Sequence, residues 1–384
     1  MAEIVFKNVC KDYGDLRAVD RMNLAIGDGE FFVLLGPSGA GKTSTLKMVA
    51  GVEQVSEGTI SIDGRVINDL LPEERNTAMV FESYALYSHL SVYENIAFPL
   101  KAPGRERIPK AEIDGRVRRT SELLRIEELL QRVPGQLSGG QRQRVALGRA
   151  LVREPSVFLM DEPLSHLDAK IRHRMRAELK NLSETINTTI VYVTHDYNEA
   201  LALGDRIAIL DRGKIMQVGT PEEIYQRPLH RLVAESVGDP SMNFLHCKPA
   251  ESAGEIGLSG IKGDFFLPLE PGMQTRLRAQ LEKEVFLGIR PRDVVVSRSD
   301  DGGCLVAGKV FVQETLGDED LLEVTIGDTL FTVLTELNES YALDETVYLN
   351  WDMNAAHLFN RETGVSLLSG RSSDGRQRSG TTVG

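Results

Sequence analysis

Apolar and polar positions along the chain change their period several times, and those changes divide it. Ile4 to Val9 alternates as a strand with one buried face does, and it ends at Lys11-Asp12-Tyr13-Gly14, which reads as a turn. Phe31 to Leu35 is continuously apolar, as in a strand covered on both faces, and Leu46 to Ala50 is helix-forming. Thr59 to Ile62 and Thr77 to Val80 are further strand candidates, with Gly64 and Pro72 between them, and a polar and aromatic run follows from Phe81 to Tyr87. From Pro109 to Leu130 the spacing of Ile113, Val117, Leu123, Leu124 and Ile126 predicts a helical segment, whose Arg116, Arg118 and Arg119 read as a solvated face. Arg142 to Leu151 predicts another helix. The apolar runs Val157 to Met160 and Thr189 to Val193 then predict buried strands on either side of a charged helix from Ala169 to about Leu182. Ile207 to Leu210 and Lys214 to Val218 flank Asp211-Arg212-Gly213 as a hairpin.

Past Pro228 the character shifts. Val285 to Ile289, Val294 to Val296, Val310 to Val312, Leu322 to Ile326 and Val347 to Leu349 are strand signals at short intervals, which predict a small β-barrel. The end from Gly370 to Gly384, rich in Ser, Gly, Thr and Arg, is expected to be a disordered tail.

A length of 384 residues with 41% hydrophobic content suits two domains. The formal net charge of −12 argues against nucleic acid as the main partner, which would call for a basic face. No apolar stretch is long enough to span a bilayer and Met1 to Val9 lacks a signal-peptide layout, so the chain reads as soluble and intracellular. Cys10, Cys247 and Cys304 are far apart and suggest neither a metal site nor a disulfide framework.

The chemistry concentrates in a few stretches. Gly36-Pro37-Ser38-Gly39-Ala40-Gly41-Lys42-Thr43 lies between a predicted strand and a predicted helix, and has the spacing of a phosphate-binding loop. Its glycines let backbone N–H groups turn inward at a helix N-terminus, Lys42 would reach the β- and γ-phosphates, and Thr43 offers a hydroxyl to Mg²⁺. Asp161 and Glu162 leave the C-terminal end of a buried strand, where ligands of parallel sheets bind. Asp161 is placed to hold Mg²⁺ through water, and Glu162 to polarise an attacking water. His195 leaves the same edge one strand later. Leu137-Ser138-Gly139-Gly140-Gln141 precedes a helix and suits a further phosphate contact, although Ser-Gly-Gly alone also describes an ordinary capping loop. Tyr13 is either a purine-stacking residue or a surface tyrosine.

Taken in order, the phosphate loop, Leu137 to Gln141, Val157 to Glu162, Ser165 to Asp168 and His195 resemble the motifs of ABC-transporter ATPase subunits. Val80-Phe81 with Ser83 to Tyr87, Val92 to Leu100, and Gln217 to Pro221 with Ile224-Tyr225 narrow the resemblance to ATPases of sugar importers of the maltose type. Gly288-Ile289-Arg290-Pro291, Leu358-Phe359 and Glu362-Thr363-Gly364 are similar to phrases of their C-terminal domain. The resemblance implies an α/β P-loop NTPase cassette, with a RecA-like core and a helical subdomain at about 88–152. It implies further that the cassette spans 1–235 and is followed by an all-β, OB-like regulatory domain at 236–369 and the tail at 370–384.

The same resemblance implies ATP and Mg²⁺ as cofactors and a role for each site residue. Tyr13 would stack on adenine, the loop from Gly36 to Thr43 together with Thr45 would bind ATP, and Thr43, Asp161 and Glu82 would hold the metal. Glu162 would be the catalytic base, assisted by Lys42 and by His195 as the switch histidine. Ser138 and Gly140 would meet the γ-phosphate held by a second ATPase subunit, and Asp168 would bridge the two subunits. Partners would be transmembrane subunits, received at the aromatic segment after Phe81, and indirectly a solute-binding protein. The chain would then sit at the cytoplasmic side of the inner membrane. The cargo implied is a sugar, polyol or related small solute, with polyamine, phosphonate or metal chelate as the alternative. A non-transport ABC ATPase fits poorly with one cassette, no heptad run and an acidic balance. Three positions depart from the family pattern: Glu82 where glutamine is usual, Ser88 where proline is common, and His166 where a small residue or asparagine is usual.

Overall fold

The computed structural model describes residues 2–101, 108–186, 188–252, 254–262, 265–269, 274, 283–299, 306–317, 319–337 and 339–368. Cys304 and the expected tail at 370–384 lie outside the described residues. The chain divides into two compact units, Met1–Ile224 and Tyr225–Gly384.

In the first unit, strands β1 (Ile4–Tyr13), β2 (Leu16–Ile26), β3 (Phe31–Leu35), β4 (Glu57–Ile62), β5 (Arg65–Val66), β6 (Thr77–Val80), β7 (Val157–Asp161), β8 (Thr189–Thr194), β9 (Arg206–Asp211) and β10 (Lys214–Gly219) make two sheets. The larger has the order β10-β9-β3-β8-β7-β6, parallel except for the hairpin strand β10. Every residue of β3, β7 and β8 is buried, which explains their unbroken apolar runs: both faces are covered, so no position needs a polar side chain. The register pairs Leu35 with Thr194 and Asp161 with Val193. Residues 36, 162 and 195 therefore leave one edge of the sheet side by side although they are far apart in sequence.

A smaller antiparallel sheet, β2-β1-β4-β5, shares its core with helix α1 (Lys42–Ala50) and the large sheet through Ile4, Phe6, Val19, Leu46, Val49, Val193 and Leu210. Here the expectation of a turn at residues 11–14 needs correction. β1 continues to Tyr13, which pairs with Leu16 of β2. Irregularities in register between Phe6 and Asp12 break the simple alternation, so the end of β1 and the whole of β2 escape a period-two reading.

Helices α2 (Val92–Ala97), α3 (Lys110–Leu123) and α4 (Gly139–Leu151) follow β6 in the chain and pack on one another, with α4 against β6. α3 stops before the predicted Leu130: Arg125 takes φ 55°, and Glu127–Leu129 forms a separate 3-10 turn. α5 (Ala169–Thr185) and α6 (Tyr197–Leu203) complete the helices that bear on the site. No helix among the described residues is long and apolar enough to cross a membrane.

The second unit is antiparallel throughout. Strands β11 (Asn243–Ser252), β12 (Glu255–Gly260), β13 (Phe266–Pro268), β14 (Val285–Ile289), β15 (Val294–Ser297), β16 (Val306–Thr315), β17 (Asp320–Ile326), β18 (Thr329–Thr335), β19 (Thr346–Trp351) and β20 (His357–Asn360) form two five-stranded sheets, β13-β12-β11-β14-β20 and β15-β19-β16-β17-β18. Alternate residues such as Leu322, Val324 and Ile326 close on a common core with Leu258, Leu287, Phe331 and Leu349. Residues 225–235, expected with the cassette, group instead with this unit. The ties are specific: Arg290 donates to the carbonyls of Tyr225 and Val237, both at 2.6 Å, and the Arg231 amide donates to Gly364 O at 2.8 Å.

Candidate active site

The loop after β3 can be built only with glycine at two positions that support it. A Cβ on Gly36 would stand 2.3 Å from Leu210 O, and one on Gly41 would stand 2.3 Å from Ala18 O. Gly41 also takes φ 96° as the N-cap of α1, and the first amides of that helix have no acceptor within it. Lys42 is almost fully buried and its Nζ bridges the carbonyls of Gly36 and Pro37 at 2.8 and 3.0 Å. Burial pulls its pKa down, opposed by the nearby carboxylates of Glu162 and Asp161. The concave backbone, the helix terminus and one ammonium together make a cradle for phosphate.

Thr45, grouped with the ATP contacts, is buried and turned back into its own helix: both its N–H and its hydroxyl donate to Gly41 O. Ala40 is buried, whereas Pro37, Ser38 and Gly39 are exposed at the mouth of the loop. Tyr13 is 40% exposed, its hydroxyl donates to Ser44 Oγ at 3.4 Å, and the Lys11 ammonium lies 4.6 Å from its ring centroid. An aromatic face thus stands beside the start of α1, available for stacking.

On the neighbouring strand ends, Thr43 Oγ1 donates to Asp161 Oδ1 at 2.8 Å, placing two hard oxygen ligands together. Burial raises the Asp161 pKa, the Thr43 hydrogen bond opposes that, and the carboxylates of Glu162 and Glu82 raise it further. Mutually repelling carboxylates beside a threonine hydroxyl suit a hard divalent cation. Glu162 takes φ 44°, and its amide donates to Val193 O at 3.0 Å. That left-handed backbone turns the side chain back across the sheet edge. There Oε2 lies 2.8 Å from His195 Nδ1 and Oε1 lies 3.8 Å from Lys42 Nζ.

The remaining predicted residues fall in two groups. Glu82 is half exposed and lies 3.4 Å from both Ser165 Oγ and His166 Nε2, so two of the three departures from the family pattern are in contact. Asp168 caps α5 by accepting from the Ile171 amide at 3.0 Å. The stretch Leu137 to Gln141 starts α4 through a capping box, with Ser138 N donating to Gln141 Oε1 at 2.9 Å. Among the described residues no hydrogen bond joins it to the loop 36–43 of the same chain. A Cβ on Gly139 or Gly140 would stand 3.3 Å from a side-chain tip of Leu167 or Ile171, so this glycine pair lies close against the start of α5.

Two shaping residues were missed by sequence reasoning. Asn95, fully buried in α2, accepts from Tyr87 N and donates to the carbonyls of Tyr87, Leu90 and Ser91. Arg149 of α4 donates to Ala85 O at 2.6 Å and Tyr84 O at 2.9 Å, with its guanidinium 5.6 Å from the Tyr87 ring. Tyr84 and Ala85 have φ 58° and 45°, an unfavourable backbone that Arg149 holds in place. For Asn95 the available signal was a polar residue inside the largely apolar stretch Val92 to Ala97; Arg149 is only half-buried and offered none. Arg149→Ala is expected to destabilise the chain by about 2 kcal/mol, since it leaves two carbonyls without a charged donor. The midpoint of urea unfolding checks this, and an unchanged midpoint would show that the segment holds itself.

The parallel sheet, phosphate cradle and carboxylate-histidine pair define a P-loop ATPase of the cassette type. The comparisons agree: the chain matches the ABC transporter family over residues 19–165, the MalK OB fold domain over 238–294 and the TOBE domain over 287–359. It is 45% identical to the trehalose/maltose import ATP-binding protein MalK of Thermococcus litoralis, covering 96% of this chain and 100% of that one. It is 43% identical to the oligosaccharides import ATP-binding protein MsmX of Bacillus subtilis, with the same coverage, and 44% identical to the xylose/arabinose import ATP-binding protein XacK of Haloferax volcanii, covering 96% of both chains. Among solved structures, the dimeric ABC transporter cassette MJ0796 superposes with a TM-score of 0.51 at 35% identity, over 57% of this chain and 98% of that one. A post-hydrolysis dimer of the same cassette, bound to ADP and Pi, matches at 34% identity with the same TM-score and coverage. The chain belongs to the nucleotide-binding ATPase subunits of ABC transporters, in the branch that carries MalK-type OB and TOBE domains.

Proposed function

We propose that this chain hydrolyses ATP to drive import of a sugar, polyol or related small solute, as the peripheral subunit at the cytoplasmic side of the membrane. The observation that carries the reading is the Glu162–His195 contact at 2.8 Å, with Glu162 the next residue after Asp161 of the Thr43–Asp161 pair and 3.8 Å from Lys42. The names of its relatives, as import proteins for trehalose/maltose, oligosaccharides and xylose/arabinose, support the cargo class.

In this reading Tyr13 stacks on adenine, and the backbone from Gly36 to Thr43, with Lys42, cradles the phosphates. Thr43, Asp161 and Glu82 hold Mg²⁺, whose bound charge offsets that of the phosphates. Glu162 accepts the proton of the attacking water and His195 holds the carboxylate in position. The stretch Leu137 to Gln141 is free of the chain's own phosphate loop and serves a second subunit's nucleotide, with Asp168 near that boundary. Transmembrane subunits dock at the segment shaped by Asn95 and Arg149, a solute-binding protein acts through them, and the second unit regulates. The test is reconstitution with the membrane subunits in vesicles: ATP-dependent uptake of a labelled sugar supports the reading, and ATP turnover indifferent to every sugar and polyol counts against the cargo.

Glu82→Gln is expected to leave turnover within about tenfold of wild type, because both side chains present an oxygen to a metal and neither is the base. The difference falls on Mg²⁺ dependence, since a carboxylate binds the cation better but repels the phosphates when the cation is scarce. Phosphate release measured against Mg²⁺ concentration checks this. An inert wild type revived by the substitution would mean instead that Glu82 marks a degenerate site.

A further inference from the structure

Arg172, on the first turns of α5, is not among the residues to which the site reading gives a task, yet it touches both segments that flank the reacting groups. Its Nη2 donates to the Leu167 carbonyl at 3.0 Å, and its Nη1 lies 3.6 Å from Asp196 Oδ2. Leu167 belongs to the segment that leads from Glu162 to Asp168, and Asp196 follows His195 directly. The other Asp196 oxygen is already engaged: Oδ1 accepts from the amides of Asn198 and Glu199 and so starts α6. On the far side, Thr194 Oγ1 accepts from Asp196 N at 3.0 Å and donates to Glu199 Oε2 at 2.7 Å, and Tyr192 donates to the same oxygen at 2.8 Å. His195 itself is more than half exposed and has one hydrogen-bond partner among the described residues, Glu162. Its aim is therefore set by how residues 194 and 196 are held.

We infer that Arg172 is a positioning residue: it ties the segment 163–168 to the turn carrying His195, so that displacement of one re-aims the imidazole against Glu162. The link gives a route from Asp168 to the Glu162–His195 pair through one side chain. It rests on the proposed role of that pair in hydrolysis. Small misalignments of a carboxylate and its partner carry large rate penalties, so the effect belongs in kcat and not in ATP affinity, because among the described residues no hydrogen bond or ion pair joins Arg172 to the loop 36–43.

The experiment uses the full chain and four variants: Arg172→Met, Arg172→Lys, Asp196→Asn, which keeps the α6 cap, and the double variant Arg172→Met/Asp196→Asn. Expected is a fall in kcat of about tenfold or more for Arg172→Met and Asp196→Asn, with KM for ATP within about twofold and partial recovery in Arg172→Lys. The double variant is expected to be no slower than the slower single one, because both break one link. The His195 ring nitrogen NMR shifts are expected to move in Arg172→Met and in Asp196→Asn, a readout that does not depend on Glu162 being the base. Unmoved His195 shifts, multiplicative losses in the double variant, or an equal rise in KM would each overturn the inference. Should Arg172→Met fail to fold, Arg172→Lys and Asp196→Asn decide it by the same measures. Wild-type turnover in Glu162→Gln would instead remove the hydrolysis reading and leave the Arg172 link to be judged by the shifts alone.

Discussion

Glu162→Gln is expected to slow ATP turnover by about 10²- to 10⁴-fold while ATP binding is retained. The amide keeps the shape of the side chain and still offers an oxygen to His195 Nδ1, 2.8 Å away, so the geometry of the pair survives. What disappears is the ability to take a proton. Lys42 Nζ, 3.8 Å from the carboxylate, keeps its two loop carbonyls as partners, so the cradle stands. With binding intact and hydrolysis blocked, ATP and Mg²⁺ are expected to hold two chains together, because Leu137 to Gln141 then meets nucleotide on the partner. Steady-state phosphate release, a fluorescent ATP analogue and light scattering measure the three quantities. Wild-type turnover would remove Glu162 as the base, and a monomer under saturating ATP would remove the two-subunit arrangement.

Lys42→Ala is expected to weaken ATP binding by about 30-fold or more and to remove detectable turnover. Truncating one member of a buried, hydrogen-bonded charge pair costs about 2–5 kcal/mol, and each 1.4 kcal/mol is a factor of ten. The position is unforgiving because the ammonium is almost fully buried and already pulled toward deprotonation by that burial. Glu162 and Asp161 oppose the pull, and phosphate would oppose it more strongly. The substitution also strips a donor from the carbonyls of Gly36 and Pro37, so a collapsed loop could mimic a lost ligand. The thermal midpoint without nucleotide separates the two: an unchanged midpoint with lost binding assigns the loss to the missing cation. Retained wild-type affinity would mean that the phosphates sit elsewhere.

Much of the site was legible because its signals are local. The spacing of Gly36, Gly41, Lys42 and Thr43 is dictated by one turn of backbone, and the structure shows why: a Cβ at Gly36 or Gly41 would strike a carbonyl oxygen. The apolar runs of β3, β7 and β8 announced strands covered on both faces, and the residue after each was the natural candidate. β2 was not legible, since irregular pairing with β1 breaks its alternation, and neither was β11, where His246 and Lys248 stand between buried positions; β12, β18 and β20 were not read either. The split near Ile224 was missed for a related reason: Arg290 and Gly364, which claim residues 225–235 for the second unit, lie far along the chain.

The sequence by itself determined the chemistry on offer, namely a phosphate loop, an acidic pair after a buried strand, a histidine after another, and a β-rich second part, because each depends on residues within a few positions of one another. Only the tertiary structure decided which groups meet. The strand order β3-β8-β7 places Lys42, His195 and Glu162 at one sheet edge, and the left-handed backbone of Glu162 turns its carboxylate toward His195. It also decided that Glu82 and His166 touch, that Arg149 holds the segment at Tyr84 and Ala85, and that Arg172 reaches Asp196. Contacts between residues so distant in sequence are set by sheet order and helix packing, and no local spacing records them.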